Sequence, residues 1–224
     1  MTISFPFLLL AVILLWMPRP WLRAGRRAAR VLGLGRRRRK REFVRIRESG
    51  DNRVNFAEEF TKLRNYIDYF RALTGGLILF GNLDWGVESC FGAHDELNPV
   101  SYDDFIFQLR VVIITIGVLF QFIRFEGRVT YYAPLFYFAG LGIALCGVGP
   151  GFFAFLLVWT FNSALPIPPA GFLSVYVLFI WLLGMLFRGL YDQHVYVAAI
   201  LFLLPVVVSL MARRSLALFN KKIK

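Results

Sequence analysis

The sequence predicts an all-α integral membrane protein with about seven transmembrane helices, a basic cytoplasmic arm and an amphipathic helix. Three observations predict it. Hydrophobic residues make up 58% of the 224 residues and charged residues 18%, against about 45–50% and about 25% in a typical soluble domain. Apolar, nearly uncharged runs recur along the chain. The charge is gathered in one place: thirteen of the 26 Lys and Arg lie between Pro18 and Glu48, with only two acids, and hold eleven of the twelve net positive charges. This balance excludes an ordinary water-soluble enzyme and a disordered chain. Two cysteines are too few for a disulfide scaffold.

Residues 1–17 read as an N-terminal transmembrane anchor. The run 3–17 has no charge, but it is short for a span of about 20 residues. No basic residue precedes it and no small-residue cleavage site follows it, so an uncleaved anchor is expected. Pro18 and Pro20 end the helix, with Trp16 and Trp21 expected at headgroup depth. Residues 18–52 are the basic cytoplasmic arm, which includes Arg36, Arg37, Arg38, Arg39, Lys40 and Arg41. Its interleaved apolar residues suit an interfacial helix, and Gly25, Gly33 and Gly35 weaken that reading. Residues 53–70 form the amphipathic interfacial helix, with Phe56, Phe60, Leu63, Ile67 and Phe70 at helical spacing.

Residues 71–212 are the polytopic domain. Spans are expected over 71–87 and 105–123, with a basic inner turn at 124–128. The chain then runs out over 131–149, turns tightly at Pro150-Gly151 and returns over 152–165. If 131–165 is a re-entrant hairpin, about five full spans remain. A rigid, proline-rich inner loop at 166–171 leads to spans over 172–187 and 195–211, and 213–224 is a basic cytoplasmic tail. Short cytoplasmic loops collect Lys and Arg. The basic arm is therefore inside, and the stretch 84–104, which has no Lys or Arg, is outside. The N-terminus is then outside and the C-terminus cytoplasmic, in a membrane read as a bacterial inner membrane.

The chain lacks most sequence signals of catalysis. His94 and His194 are the only histidines and both map to outer loops, so no pair of histidines can hold a haem within the bundle. There is no cysteine cluster, P-loop, dinucleotide fingerprint or nucleophile elbow. No catalytic, cofactor or metal site is expected, and the chain is not expected to be an enzyme. Intramembrane charge is costly and often functional. Arg110 is the candidate, paired with Asp84 or Asp104, while Gln121 and Asn162 suit hydrogen bonds between helices. Gly140/Ala144 and Gly147/Gly151 have the small-xxx-small spacing of closely packed helices. Cys90 and Cys146 fall on the outer side and read as unpaired thiols. The 24 phenylalanines read as lipid-facing bulk.

The twelve residues from Tyr69 to Phe80 contain Arg71 and Gly75 and resemble the Arg-x-x-x-Gly first helix of DoxX-like membrane proteins, over too short a stretch to assign that family. The expected function is a non-catalytic polytopic subunit that packs within a larger membrane complex. Its arginine-rich arm would dock on anionic lipid headgroups or an acidic partner subunit. Nucleic acid is not expected, because the arm has few aromatics for base stacking and no reading module. Two alternatives stand beside this. A small-solute transporter or channel would have only Gln108, Arg110, Gln121 and Asn162 for a polar path. A quinone- or pigment-associated redox subunit would have no ligands that the sequence names.

Overall fold

In the computed structural model, residues 3–18, 53–81, 86–92, 99–126 and 128–218 are described. The elements run α1 (Phe5–Trp16), α2 (Phe56–Phe60), α3 (Leu63–Phe80), α4 (Pro99–Phe122), β1 (Ile123–Glu126), β2 (Arg128–Tyr131), α5 (Leu135–Cys146), α6 (Val148–Ala164), α7 (Pro169–Arg188) and α8 (Gln193–Met211). Three stretches are long and apolar enough to cross a membrane: Asp104–Phe122 within α4, and α7 and α8 whole. Helices α1, α5 and α6 are apolar but shorter.

The centre of the bundle is α5. All twelve of its residues are buried, as expected of a helix that is apolar on every side. It packs against α3, α6, α7 and α8. At a rise of about 1.5 Å per residue it is about 18 Å long, well short of a bilayer's hydrocarbon core. Close packing here needs small residues. A Cβ at Gly140 would overlap the Tyr69 carbonyl of α3 and stand 2.9 Å from Leu73 N. A Cβ on Gly76 of α3 would lie 2.6 Å from the Ala144 Cβ. The backbones of α3 and α5 therefore touch along the face that carries Gly140 and Ala144.

Several expected boundaries move. The tight turn is at Gly147, which closes α5 and opens α6 at φ 89°. Pro150 and Gly151 lie inside α6. Proline is tolerated in a first helical turn, where its missing N–H has no partner to lose. Gly147 thus makes the turn itself, while Gly151 faces Ile143, whose Cα its own Cβ would approach to 2.6 Å. The expected helix over 53–70 is broken at Thr61-Lys62 into α2 and the start of α3. Helix α3, where the second span is expected, begins and ends earlier than 71–87, since it starts at Leu63 and stops at Gly81 (φ 73°), and it is not among the three stretches long and apolar enough to cross a membrane.

The all-α expectation also needs a small correction. The basic turn after α4 is an antiparallel hairpin, pairing Ile123 with Tyr131 and Phe125 with Val129. The segment after α8 joins it: Ala217 N–H donates to the Tyr131 carbonyl at 2.9 Å, and Ala133 N–H to the Ala217 carbonyl at 3.0 Å. This ties together the ends of α4 and α8. At the opposite end, Ser4 N–H donates to the Cys90 carbonyl at 2.9 Å, and His194 packs its ring against Phe80 and Phe107.

Candidate functional site

The polar centre of the molecule is built around the end of α1. A helix leaves its last four carbonyls without intrahelical partners. Helix α1 ends at Trp16, and Met17 leaves it in an extended conformation (ψ 116°), the conformation favoured before a proline such as Pro18. Three other helices supply the missing donors. Gln121 Nε2 of α4 donates to the Leu15 and Met17 carbonyls, each at 3.1 Å. The Tyr137 hydroxyl of α5 donates to the Leu15 carbonyl at 3.2 Å. Arg71 Nη1 of α3 donates to the Met17 carbonyl. The Trp16 indole donates to the Ile113 carbonyl at 2.8 Å. Gly117 makes room for this junction, since a Cβ there would stand 3.1 Å from the Tyr137 hydroxyl and 3.3 Å from the Leu15 carbonyl.

Arg71 is 6% exposed and Asp68 is fully buried. Burying a charge is costly without a partner and hydrogen bonds. Arg71 has both. Its Nε donates to Asp68 Oδ1 at 2.9 Å, its Nη2 to Gln121 Oε1 at 2.5 Å, and its Nη2 stands 2.8 Å from Asp68 Oδ1. The guanidinium also lies 5.4 Å from the Tyr137 ring centre. A cation at the C-terminal end of α1 opposes the negative end of that helix's dipole. Every nitrogen of Arg71 is therefore engaged, and the arrangement is a socket for a helix end.

The socket takes up the polar face of α3. Leu63, Ile67 and Phe70 of the expected apolar stripe are exposed, while Asn65, Asp68 and Arg71 are buried. Asn65 donates from Nδ2 to the Glu59 carbonyl at 2.8 Å and to Glu59 Oε2 at 2.7 Å. Phe56 and Phe60 of α2 pack on α5 and α6 through Phe136 and Trp159. Sequence reasoning missed Asp68, Arg71 and Tyr137 as a group. The available signal was an acid and a base three residues apart, with Gly75 and Gly76 one turn further on.

A second polar tie holds Val54, just past the arm. Asn162 Nδ2 of α6 donates to the Val54 carbonyl at 2.9 Å, and Asn162 Oδ1 accepts from Ile167 N–H at 3.2 Å. Val54 N–H donates to the Ile167 carbonyl at 3.0 Å. The stretch 19–52 is thus bounded on one side by the α1 socket and on the other by a fixed contact with the α6–α7 loop. Arg36, Arg37, Arg38, Arg39, Lys40 and Arg41 lie outside the described residues.

Arg110 of α4 donates from Nη2 to the Ser89 hydroxyl at 2.9 Å and stacks near the Phe80 and Phe91 rings, at 5.8 and 5.2 Å. Asp84, one expected partner, lies outside the described residues, and Asp104, the other, is exposed. His94 and its acidic neighbours Asp95 and Glu96 are likewise outside. Arg188 is paired locally: its Nε donates to Asp192 Oδ2 at 2.5 Å, and Asp192 caps α8 by accepting from His194 N–H at 2.8 Å. Partial burial pushes the Asp192 carboxyl up. The hydrogen bonds and charge of Arg188 and the bonds from His194 outweigh this and hold it below its ordinary value. Cys90 and Cys146 are both buried free thiols. No protein-family model, curated protein or solved structure matches the chain.

Proposed function

We propose that this chain is a non-catalytic polytopic subunit of a bacterial inner membrane complex, with about seven spans in alternation, or five where the short α5 and α6 form a re-entrant hairpin. The carrying observation is the socket. The buried cation Arg71 directs all three of its guanidinium nitrogens to acceptors of its own chain. The charge is used to hold α1 in the bundle, and that supports a packing role over an open polar path. The N-terminus lies outside, while the hairpin, the α6–α7 loop and the segment after α8 lie on the cytoplasmic side. The residues that flank the arm, Pro18 and Val54, lie at that side, so the arm's net charge of ten is kept against the inner leaflet. Anionic lipid is its docking surface, and an acidic partner subunit is the rival occupant.

Three measurements test this. The protein should resist alkaline carbonate extraction. In intact cells an impermeant thiol reagent should label Asp95→Cys and leave Arg38→Cys unlabelled. Replacing Arg36, Arg37, Arg38, Arg39, Lys40 and Arg41 by Gln should preserve that topology and lower co-purification of anionic lipid, most clearly at raised salt. Labelling with the opposite pattern refutes the orientation, and lipid recovery unchanged across a salt series refutes the docking role.

A further inference from the structure

Helix α8 ends in an unusual way. Arg214 N–H donates to the Ser209 carbonyl at 2.9 Å and Arg213 N–H to the Leu210 carbonyl at 3.0 Å. These two bonds define a Schellman turn, whose left-handed position is normally glycine. Here that position is Arg213, at φ 50°. A side chain is disfavoured in this conformation, and such outliers persist where the surroundings or a function require them.

The surroundings say what the arginine meets. Leu210 and Met211, in the last turn of α8, are 69% and 81% exposed. Arg213, Arg214 and Ser215 follow and are exposed, and then Leu216 and Leu218 turn back into the bundle. An exposed apolar pair followed within two residues by an exposed cationic pair marks the boundary between hydrocarbon and headgroups. The segment is held in place, because Arg214 Nη1 donates to the Val129 carbonyl of the hairpin and Ala217 pairs with Tyr131. Arg213 therefore projects from a fixed point.

We propose that this turn is a binding site for the phosphate of an anionic phospholipid, with Arg213 as the main contact and Arg214 as the second. It is separate from the arm and rests on the membrane placement proposed above. The full-length protein in nanodiscs of phosphatidylcholine, with or without phosphatidylglycerol, provides the test. Native mass spectrometry counts the retained phosphatidylglycerol, and thermal melting reports the lipid-induced shift. Each arginine beside an anionic leaflet is worth about fivefold in affinity, so Arg213→Gly with Arg214→Gln should weaken retention about 25-fold. Arg213→Gly alone should shrink the phosphatidylglycerol shift about fivefold in affinity. Because glycine suits the turn, that variant should melt in phosphatidylcholine at or above the parent temperature. Arg213→Lys should retain the lipid. Retention unchanged in the double variant overturns the proposal. So does a melting temperature that falls in phosphatidylcholine with the lipid shift intact, which would make Arg213 purely structural. Loss of a salt-sensitive acidic protein with lipid retention unchanged overturns it in favour of that partner. A protein released by carbonate fails the membrane placement instead, and so separates the two claims.

Discussion

Replacing Arg71 by Leu tests the socket most directly. The substitution removes the guanidinium that stands 2.8 Å from the fully buried Asp68 carboxylate, and with it a donor to the Met17 carbonyl and to Gln121. Removing one partner of a buried ion pair costs about 3–5 kcal/mol, because the remaining charge stays buried. Much of that cost belongs to the carboxylate, so adding Asp68→Asn should relieve it. The double variant Asp68→Asn with Arg71→Leu should recover about 1–3 kcal/mol relative to Arg71→Leu alone. Equilibrium unfolding in mixed micelles gives the free energies. Thiol reactivity of a cysteine placed at Leu15, fully buried in the parent, reports whether α1 leaves its seat. The expected result is a reactive thiol in the single variant and partial protection in the double. Parent-like stability in Arg71→Leu, or a double variant no better than the single, would refute the reasoning.

Further outcomes follow from the same geometry. Gly140→Ala should destabilise by about 1–3 kcal/mol, since its methyl overlaps backbone of α3 that can yield only by moving the helix; Gly149→Ala, whose methyl would meet only the Phe187 ring at 3.5 Å, should melt at or above the parent temperature. Asn162→Ala leaves the Val54 carbonyl and the Ile167 N–H without their side-chain partner, at about 1–3 kcal/mol. It should also speed proteolysis at the 53–55 segment relative to the parent. The carboxyl of Asp192 is held below its ordinary value, so its contribution is complete above the usual carboxylate range and is lost as pH falls through the lowered folded value. Asp192→Asn should remove that acid-side loss from a melting-temperature profile against pH.

How much was legible in the sequence varies from element to element. The apolar runs at 169–188 and 193–211 were found within a few residues, because a span is a local sum of hydropathy that needs no knowledge of partners. Gln121 was legible as a hydrogen-bonding residue between helices, because an amide in an apolar run must find a partner, whereas Asn162 bonds the loop residues Val54 and Ile167. The position of the turn at 147 was misread. Proline and glycine at 150–151 signal a turn locally, but a proline in a helix's first turn gives the same signal. The hairpin at 123–131 was read only as a basic turn, because four-residue strands leave too little alternation to register.

By itself, the sequence determined the membrane-like composition, the order of the apolar helices and the concentration of positive charge between α1 and α2. These are sums and periods along the chain, and they depend on no contact. Only the tertiary structure decided which face of α3 points inward. The stripe Leu63, Ile67 and Phe70 reads by spacing as the apolar face of an interfacial helix, and it is exposed. The inner face is polar because the end of α1 needs donors, and Arg71 meets its acceptors Met17 and Gln121 across 54 and 50 residues of sequence. No periodicity encodes a pairing at that separation. A buried arginine and an exposed one have the same one-letter code, and only the carbonyls around Arg71 and the exposed turn around Arg213 tell them apart.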